Sequence, residues 1–163
     1  MPQPLWQRLI ALVDSDQKIH SFEARRAELL KQLSTHQALV TAAQNQADLA
    51  LSAKEKAELR VKAIESDVAH LEKRNKELNR SLDACRNPRE LKALESEQLA
   101  LNRRHIELED EIISAWHHLE GHTSELKKAT EHLSRAHAEY AHAEQTISAE
   151  LEQVAADEQV YET

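Results

Sequence analysis

The sequence predicts an all-α protein, a long antiparallel two-helix coiled-coil hairpin that reverses at Arg86–Pro88. Three observations carry this. Of 163 residues, one is Gly, three are Pro and 3% are aromatic, so little exists to build turns or a broad core. Apolar residues recur at alternating steps of three and four along both halves of the chain. One strong helix break, Arg86-Asn87-Pro88-Arg89-Glu90-Leu91, falls near the middle. Ala, Leu, Glu, Lys and Gln dominate the rest, all good helix formers. The chain therefore reads as a single hairpin domain, 1–163, with arm one at 4–85, a turn at 86–88 and arm two at 88–161.

The first arm opens with Pro2 and Pro4, and Pro4 suits a first helical turn. Its early apolar set, Leu5, Leu9, Leu12, Ile19 and Phe22, does not hold the later phase, which predicts a skip between Asp16 and Phe22. From Leu29 the seam is regular: Leu29, Leu33, His36, Val40, Ala43, Ala47, Ala50, Lys54, Ala57, Val61, Ile64, Val68, Leu71, Asn75, Leu78, Leu82, Cys85. Fourteen of these 17 are apolar. An arm of ~80 residues is roughly 120 Å long at 1.5 Å per residue.

Proline within a helix costs about 3 kcal/mol and pushes the residue before it out of the α region. Here that residue is Asn87, a favoured N-cap, and Glu90 lies three positions later. Asn87-Pro88-Arg89-Glu90 thus reads as a variant capping box with proline at the first helical position. A connection this short folds the second helix back beside the first.

The second seam runs Leu91, Leu94, Gln98, Leu101, His105, Leu108, Ile112, Ala115, Leu119, His122, Leu126, Ala129, Leu133, Ala136, Tyr140, Ala143, Ile147, Glu150, Val154, Asp157, Tyr161. Sixteen of 21 are apolar, where a 40% composition gives about eight by chance. With the turn fixed, one register opposes Ala43 with Leu133, Ala50 with Leu126, Ala57 with Leu119, Val61 with Ala115 and Val40 with Ala136. Small residues then meet large ones, as interdigitation requires. That register also opposes Arg26 with Glu150 and Lys54 with His122. Gly121 interrupts neither phase, so a weak point or kink is expected there and not a reversal.

Net charge is −8, which disfavours a general nucleic-acid surface. The charge is uneven. Residues 72–92 hold seven Lys/Arg (Lys73, Arg74, Lys76, Arg80, Arg86, Arg89, Lys92) against four acids, Glu72, Glu77, Asp83 and Glu90. After Arg135 there are only acids: Glu139, Glu144, Glu150, Glu152, Asp157, Glu158 and Glu162. A hairpin bent near Cys85 is therefore basic at its tip and acidic at its base. No aromatic side chain is interleaved at the tip to stack bases, so contact with acidic protein, or an ordinary solvated charged face, is favoured there over nucleic acid.

The single cysteine excludes an internal disulfide and a cysteine-rich zinc site within this chain. Cys85 holds a seam position and reads as a small buried thiol. The longest apolar run, Leu9–Val13, is too short to span a membrane, and no signal-peptide pattern opens the chain, so a cytoplasmic location is the default. His118 and His122 share a helix face beside His117, a spacing that suits zinc, with Glu55 or Glu58 as third-ligand candidates. Solvated helix histidines are the preferred reading of the cluster, and no metal residue is assigned. Asn75 and Gln98 are polar seam positions that fix register. Leu99, Ile106 and Ile113 form a second heptad-spaced stripe. It either widens the seam or serves as a surface for a second copy or another protein. No nucleophile–base pair, glycine-rich phosphate loop or paired-carboxylate pocket appears, and a two-helix rod has no interior pocket, so an enzyme is not expected.

The motif Asn87-x-Arg89-Glu90-Leu91-x-Ala93-Leu94-x-x-Glu97, followed by Leu108-Glu109-Asp110-Glu111-Ile112, resembles the signature of bacterial coiled-coil proteins that end in a four-cysteine zinc ribbon. Leu12-Val13-Asp14-Ser15-Asp16-x-x-Ile19 and Glu23-Ala24-Arg25-Arg26-Ala27-Glu28-Leu29 are similar to that family's opening. The two C-x-x-C pairs of the ribbon are absent, so zinc is expected only in a full-length protein and its ligands carry over to no residue here. Val160-Tyr161-Glu162 resembles the last helical residues before the ribbon. The resemblance implies a scaffold or chaperone-like adaptor that binds sigma-54, as in the flagellar type, or sigma-54 and type III secretion components, as in the chlamydial type. On this reading the partner-binding tip is Arg86, Asn87, Arg89, Glu90 and Lys92. The alternatives are a purely structural coiled coil that oligomerises, as a homodimer for example, through Leu99, Ile106 and Ile113, or a nucleic-acid-binding protein acting through the ribbon.

Overall fold

The computed structural model describes residues 4–162, so Pro2 and Thr163 lie outside the described residues. It holds two helices, α1 at Leu5–Ala84 and α2 at Pro88–Glu162, of 80 and 75 residues. No strand occurs among the described residues. Cys85, Arg86 and Asn87 form the connection, and α2 returns antiparallel to α1. This is the coiled-coil hairpin that the paired seams predict. Pro4 sits just before the first helical residue, and its carbonyl accepts the amides of Gln7 at 2.9 Å and Arg8 at 3.4 Å.

The chain divides into two compact units, one of Ala47–Ala129 and one of Met1–Gln46 with Thr130–Thr163. The first contains the turn. Its core is Val61, Ile64, Leu108 and Ala115, with Val68, Leu71, Ile112 and Leu119 packed against it. These are residues that the register pairs, Val61 with Ala115, Ile64 with Ile112 and Val68 with Leu108. Leu108 is 1% exposed, and complete burial of such a side chain contributes about 2 kcal/mol. In the second unit Leu29, Ile147 and Val154 form the core, flanked by Phe22, Leu33, Ala143 and Leu151.

All 17 first-arm seam positions from Leu29 to Cys85 are buried or half-buried. The same phase continues towards the N-terminus through Arg26, Phe22, Ile19 and Ser15, so no skip occurs between Asp16 and Phe22. The apolar pattern leaves the seam, and the helix does not change its winding. Leu5, Leu9 and Leu12 are 76%, 54% and 60% exposed. The last described turn of α2 meets Lys18 and Phe22. Lys18 donates to the Tyr161 hydroxyl at 3.2 Å, and the Phe22 and Tyr161 rings lie 5.9 Å apart.

Near its end the second seam departs from strict three-four stepping. Glu158 is half-buried while Asp157 is exposed, and Leu151 joins the contact line. A straight helix drifts about 20° per heptad relative to a 3.5-residue repeat, which moves the contact to the following residue. The drift breaks the expected seam pair. Arg26 bridges to Glu158, and Glu150 is taken by Arg25. In the turn-containing unit Lys54 and His122 also choose local partners, Glu58 at 3.2 Å and Glu125 at 3.2 Å, because two basic side chains gain nothing from each other.

Gly121 is helical, with negative φ, and no atom lies within 4 Å of where its Cβ would stand. The helix runs unbroken through it, so its cost is entropic. Gly121→Ala is expected to stabilise the protein by about 0.5–1 kcal/mol, measured by urea unfolding. A loss of stability would show that the glycine serves a contact or a bend.

Candidate functional site

The turn is built from one missing donor and one cap. Pro88 occupies the first position of α2, where no amide hydrogen is needed. The Asn87 carbonyl accepts the first intrahelical bond from the Leu91 amide at 2.9 Å, and its Oδ1 accepts from the Arg89 amide at 3.0 Å. The reciprocal bond from Glu90 to the Asn87 amide is not formed, so half of the expected capping box is present. On the other side the Cys85 amide donates to the Leu82 carbonyl at 3.3 Å, tightening the last turn of α1. Cys85 is half-buried, and its Sγ lies 3.5 Å from the Asn87 carbonyl oxygen.

Arg86, Asn87, Arg89, Glu90 and Lys92 are all exposed. The turn therefore brings the five sequence-predicted tip residues onto one solvent-facing end of this unit. Among the described residues the side chains of Arg86, Arg89 and Lys92 form no ion pair, and neither do those of Lys73, Lys76 and Arg80. Three other arginines of this unit are engaged: Arg60 with Glu111 at 3.4 Å, Arg74 with Glu97 at 2.5 Å, and Arg104 with Glu107 at 3.0 Å and Glu111 at 3.2 Å. Hydrogen bonding to Glu97 and Glu107 holds the Arg74 and Arg104 guanidinium pKa values above their ordinary range. The two bridges between the arms in this unit, Arg60–Glu111 and Arg74–Glu97, escaped the sequence reading. Arg60, Arg74, Glu97 and Glu111 each immediately precede a seam residue, and positions of that class face each other across a coiled coil, so the signal was present.

Leu99, Ile106 and Ile113 are 55%, 59% and 56% exposed. They do not widen the seam. Trp116, also exposed, extends this stripe, and the sequence reading missed it. An open groove of about 740 Å³ begins at Ile113 and Trp116 and runs past His117 and Glu120. A second groove, of about 750 Å³, includes His118, His122, Asp110 and Glu111 in its lining. Both are open to solvent. Neither Glu55 nor Glu58 lines the groove beside the histidines, and Glu58 is held by Lys54. Among the described residues no three His, Cys, Asp or Glu side chains converge as a metal-binding group. One cysteine cannot supply a four-cysteine zinc site. No helix among the described residues is long and apolar enough to cross a membrane.

Asn87 is the one tip residue whose side chain holds the backbone. Asn87→Ala is expected to lower stability by about 1 kcal/mol, read from urea unfolding, with amide exchange accelerated first at Arg89. Unchanged exchange there would remove the cap from the account.

The fold and tip can be set beside known proteins. A comparison with curated proteins finds no match. The solved structure of the HP0958 protein from Helicobacter pylori CCUG 17874 is similar over 96% of this chain, with a TM-score of 0.71 and 16% sequence identity. At that identity the likeness is one of fold. This chain spans 66% of the length of that one. The family model of the CT398-like coiled coil hairpin domain matches residues 12–163. The chain belongs to the CT398-like coiled coil hairpin domain family.

Proposed function

We propose that the protein is a non-enzymatic interaction scaffold whose hairpin tip docks an acidic surface of a protein partner. The observation that carries this is the unpaired set Arg86, Arg89 and Lys92. A coiled coil gains stability when charges beside the seam pair across the arms, as Arg60 and Arg74 do. The tip cations forgo such pairing. Arg89 and Lys92 also lie in the first turns of α2, where the helix dipole disfavours positive charge. Helix stability does not account for them, whereas Asn87, Pro88 and Glu90 are explained by starting the helix. Exposed arginines on a rigid turn are well suited to bidentate recognition of carboxylates.

The class of partner follows from resemblance. The sequence resembles ribbon-bearing coiled-coil proteins that bind sigma-54 and, in one type, secretion components. Sigma-54 and flagellar or type III secretion proteins are therefore the partners to test first. Zinc, on the same resemblance, belongs to a ribbon outside these residues and has no part in the tip.

Purified hairpin should bind sigma-54 or a secretion component in a calorimetric or surface-capture titration. Arg86→Glu with Arg89→Glu should weaken that binding at least about tenfold through loss of two charge-assisted contacts. Helicity should be unchanged, and thermal stability equal or slightly higher, because Arg89→Glu places an acid at a helix N-terminus. Binding that is indifferent to both reversals would move the site away from the tip.

A further inference from the structure

α2 carries an apolar face that the hairpin leaves open. Leu99, Ile106 and Ile113 recur at heptad spacing, about 10.5 Å apart along one side of the helix, and each is more than half exposed. The flanking charges are ordered. On one edge of the stripe, Arg103 precedes Ile106 by three residues and Asp110 follows it by four. On the other edge, Asn102 precedes it by four and Glu109 follows by three. Arg103 and Asp110 are exposed and form no ion pair among the described residues. Glu109 has only a bridge to His105, at 3.3 Å.

This pattern is complementary to itself when reversed. We propose that two copies of the chain pair antiparallel along α2, face to face about a two-fold axis at Ile106. In that arrangement Ile106 meets Ile106, and Leu99 of each copy meets Ile113 of the other. Each edge of the stripe runs against the same edge of the second copy in the opposite direction. Arg103 therefore meets the second copy's Asp110, and the Asn102 amide meets its Glu109. Glu95, otherwise without an ion pair among the described residues, comes opposite His117. The groove that begins at Ile113 and Trp116 receives the second copy's Leu99. A parallel pair would instead set each edge against the other edge of the second copy, leaving Arg103 opposite the Asn102 amide and bringing Asp110 against Glu109, which like-charge repulsion disfavours. A two-fold interface requires a patch that complements itself, and this face does so in both apolar and charged positions. Seven-residue spacing is also what a second coiled-coil seam uses.

Sedimentation velocity of the chain under reducing conditions, from about 1 to about 200 µM, tests the pairing. The mass is expected to rise from monomer towards dimer across that range, and Ile106→Glu should remain monomeric throughout. Arg103→Asp and Asp110→Arg alone should each weaken association about tenfold, through two lost ion pairs and two like-charge contacts. An equimolar mixture of those two variants restores both opposite-charge pairs and should associate at least as tightly as the unaltered chain. Ile106, Arg103 and Asp110 are all exposed, so circular dichroism should show unchanged helicity. Three results would overturn the proposal: a monomer over the whole range, a dimer that survives Ile106→Glu, or a mixture no tighter than its components. The last would mean a parallel pair or a different face.

Discussion

Pro88 has no amide hydrogen to give to a continuing α1, and its ring excludes the α conformation from Asn87. The chain must leave the helix there, and Asn87 makes the exit productive by capping the helix that follows. Because only Cys85–Asn87 separate the two helices, the point of reversal also sets which residues of α2 face which residues of α1. A one-residue shift in the break would move the facing sets out of step. The core of Val61, Ile64, Leu108 and Ala115 forms where the turn brings these two stretches of seam opposite each other. The polar seam residue Asn75 shows how tightly that alignment is held. Its Oδ1 is buried without a partner, while Gln98 finds Asn79 at 3.0 Å.

Once the seam is aligned, the remaining charges sort themselves by what they touch. Arg60 and Arg74 reach across to Glu111 and Glu97 from positions beside the seam. In the other unit Arg25 and Arg26 take Glu150 and Glu158. These exposed or partly exposed bridges contribute little energy singly, but they disfavour slipped registers. Many charges have no ion pair among the described residues, and two groups are informative by position. At the turn they include Arg86, Arg89 and Lys92. On the outer side of α2 they include Arg103 and Asp110, flanking an apolar stripe that the hairpin does not bury. The two surfaces differ in chemistry, one a charged end suited to an acidic partner and the other a self-complementary strip suited to a copy of itself.

Much of the fold was legible in the sequence because coiled coils write their geometry as periodicity. Every first-arm seam residue from Leu29 to Cys85 is at least half-buried, and Pro88 marks the start of α2. The departures lie at the two ends. Near the N-terminus the apolar residues Leu5, Leu9 and Leu12 suggest a skip, whereas Ser15 and Arg26 hold the phase. At the other end, strict stepping placed Asp157 in the seam, and helical drift placed Glu158 there. The tip was legible as a turn, because proline and asparagine have strong backbone preferences. Its lack of internal ion pairs was not, since whether Arg89 finds a carboxylate depends on three-dimensional reach and not on spacing alone.

The register imposed by the turn is the claim on which the rest stands, and a designed disulfide tests it directly. With Cys85 replaced by Ala, Ala50→Cys and Leu126→Cys should form an intramolecular disulfide on mild oxidation at low protein concentration, seen as a monomer with accelerated gel mobility. Leu126→Cys paired with Ala43→Cys, two turns of α1 away, should not close. Failure of the first pair together with closure of the second would contradict the register, and with it the facing of the two seams that builds the core.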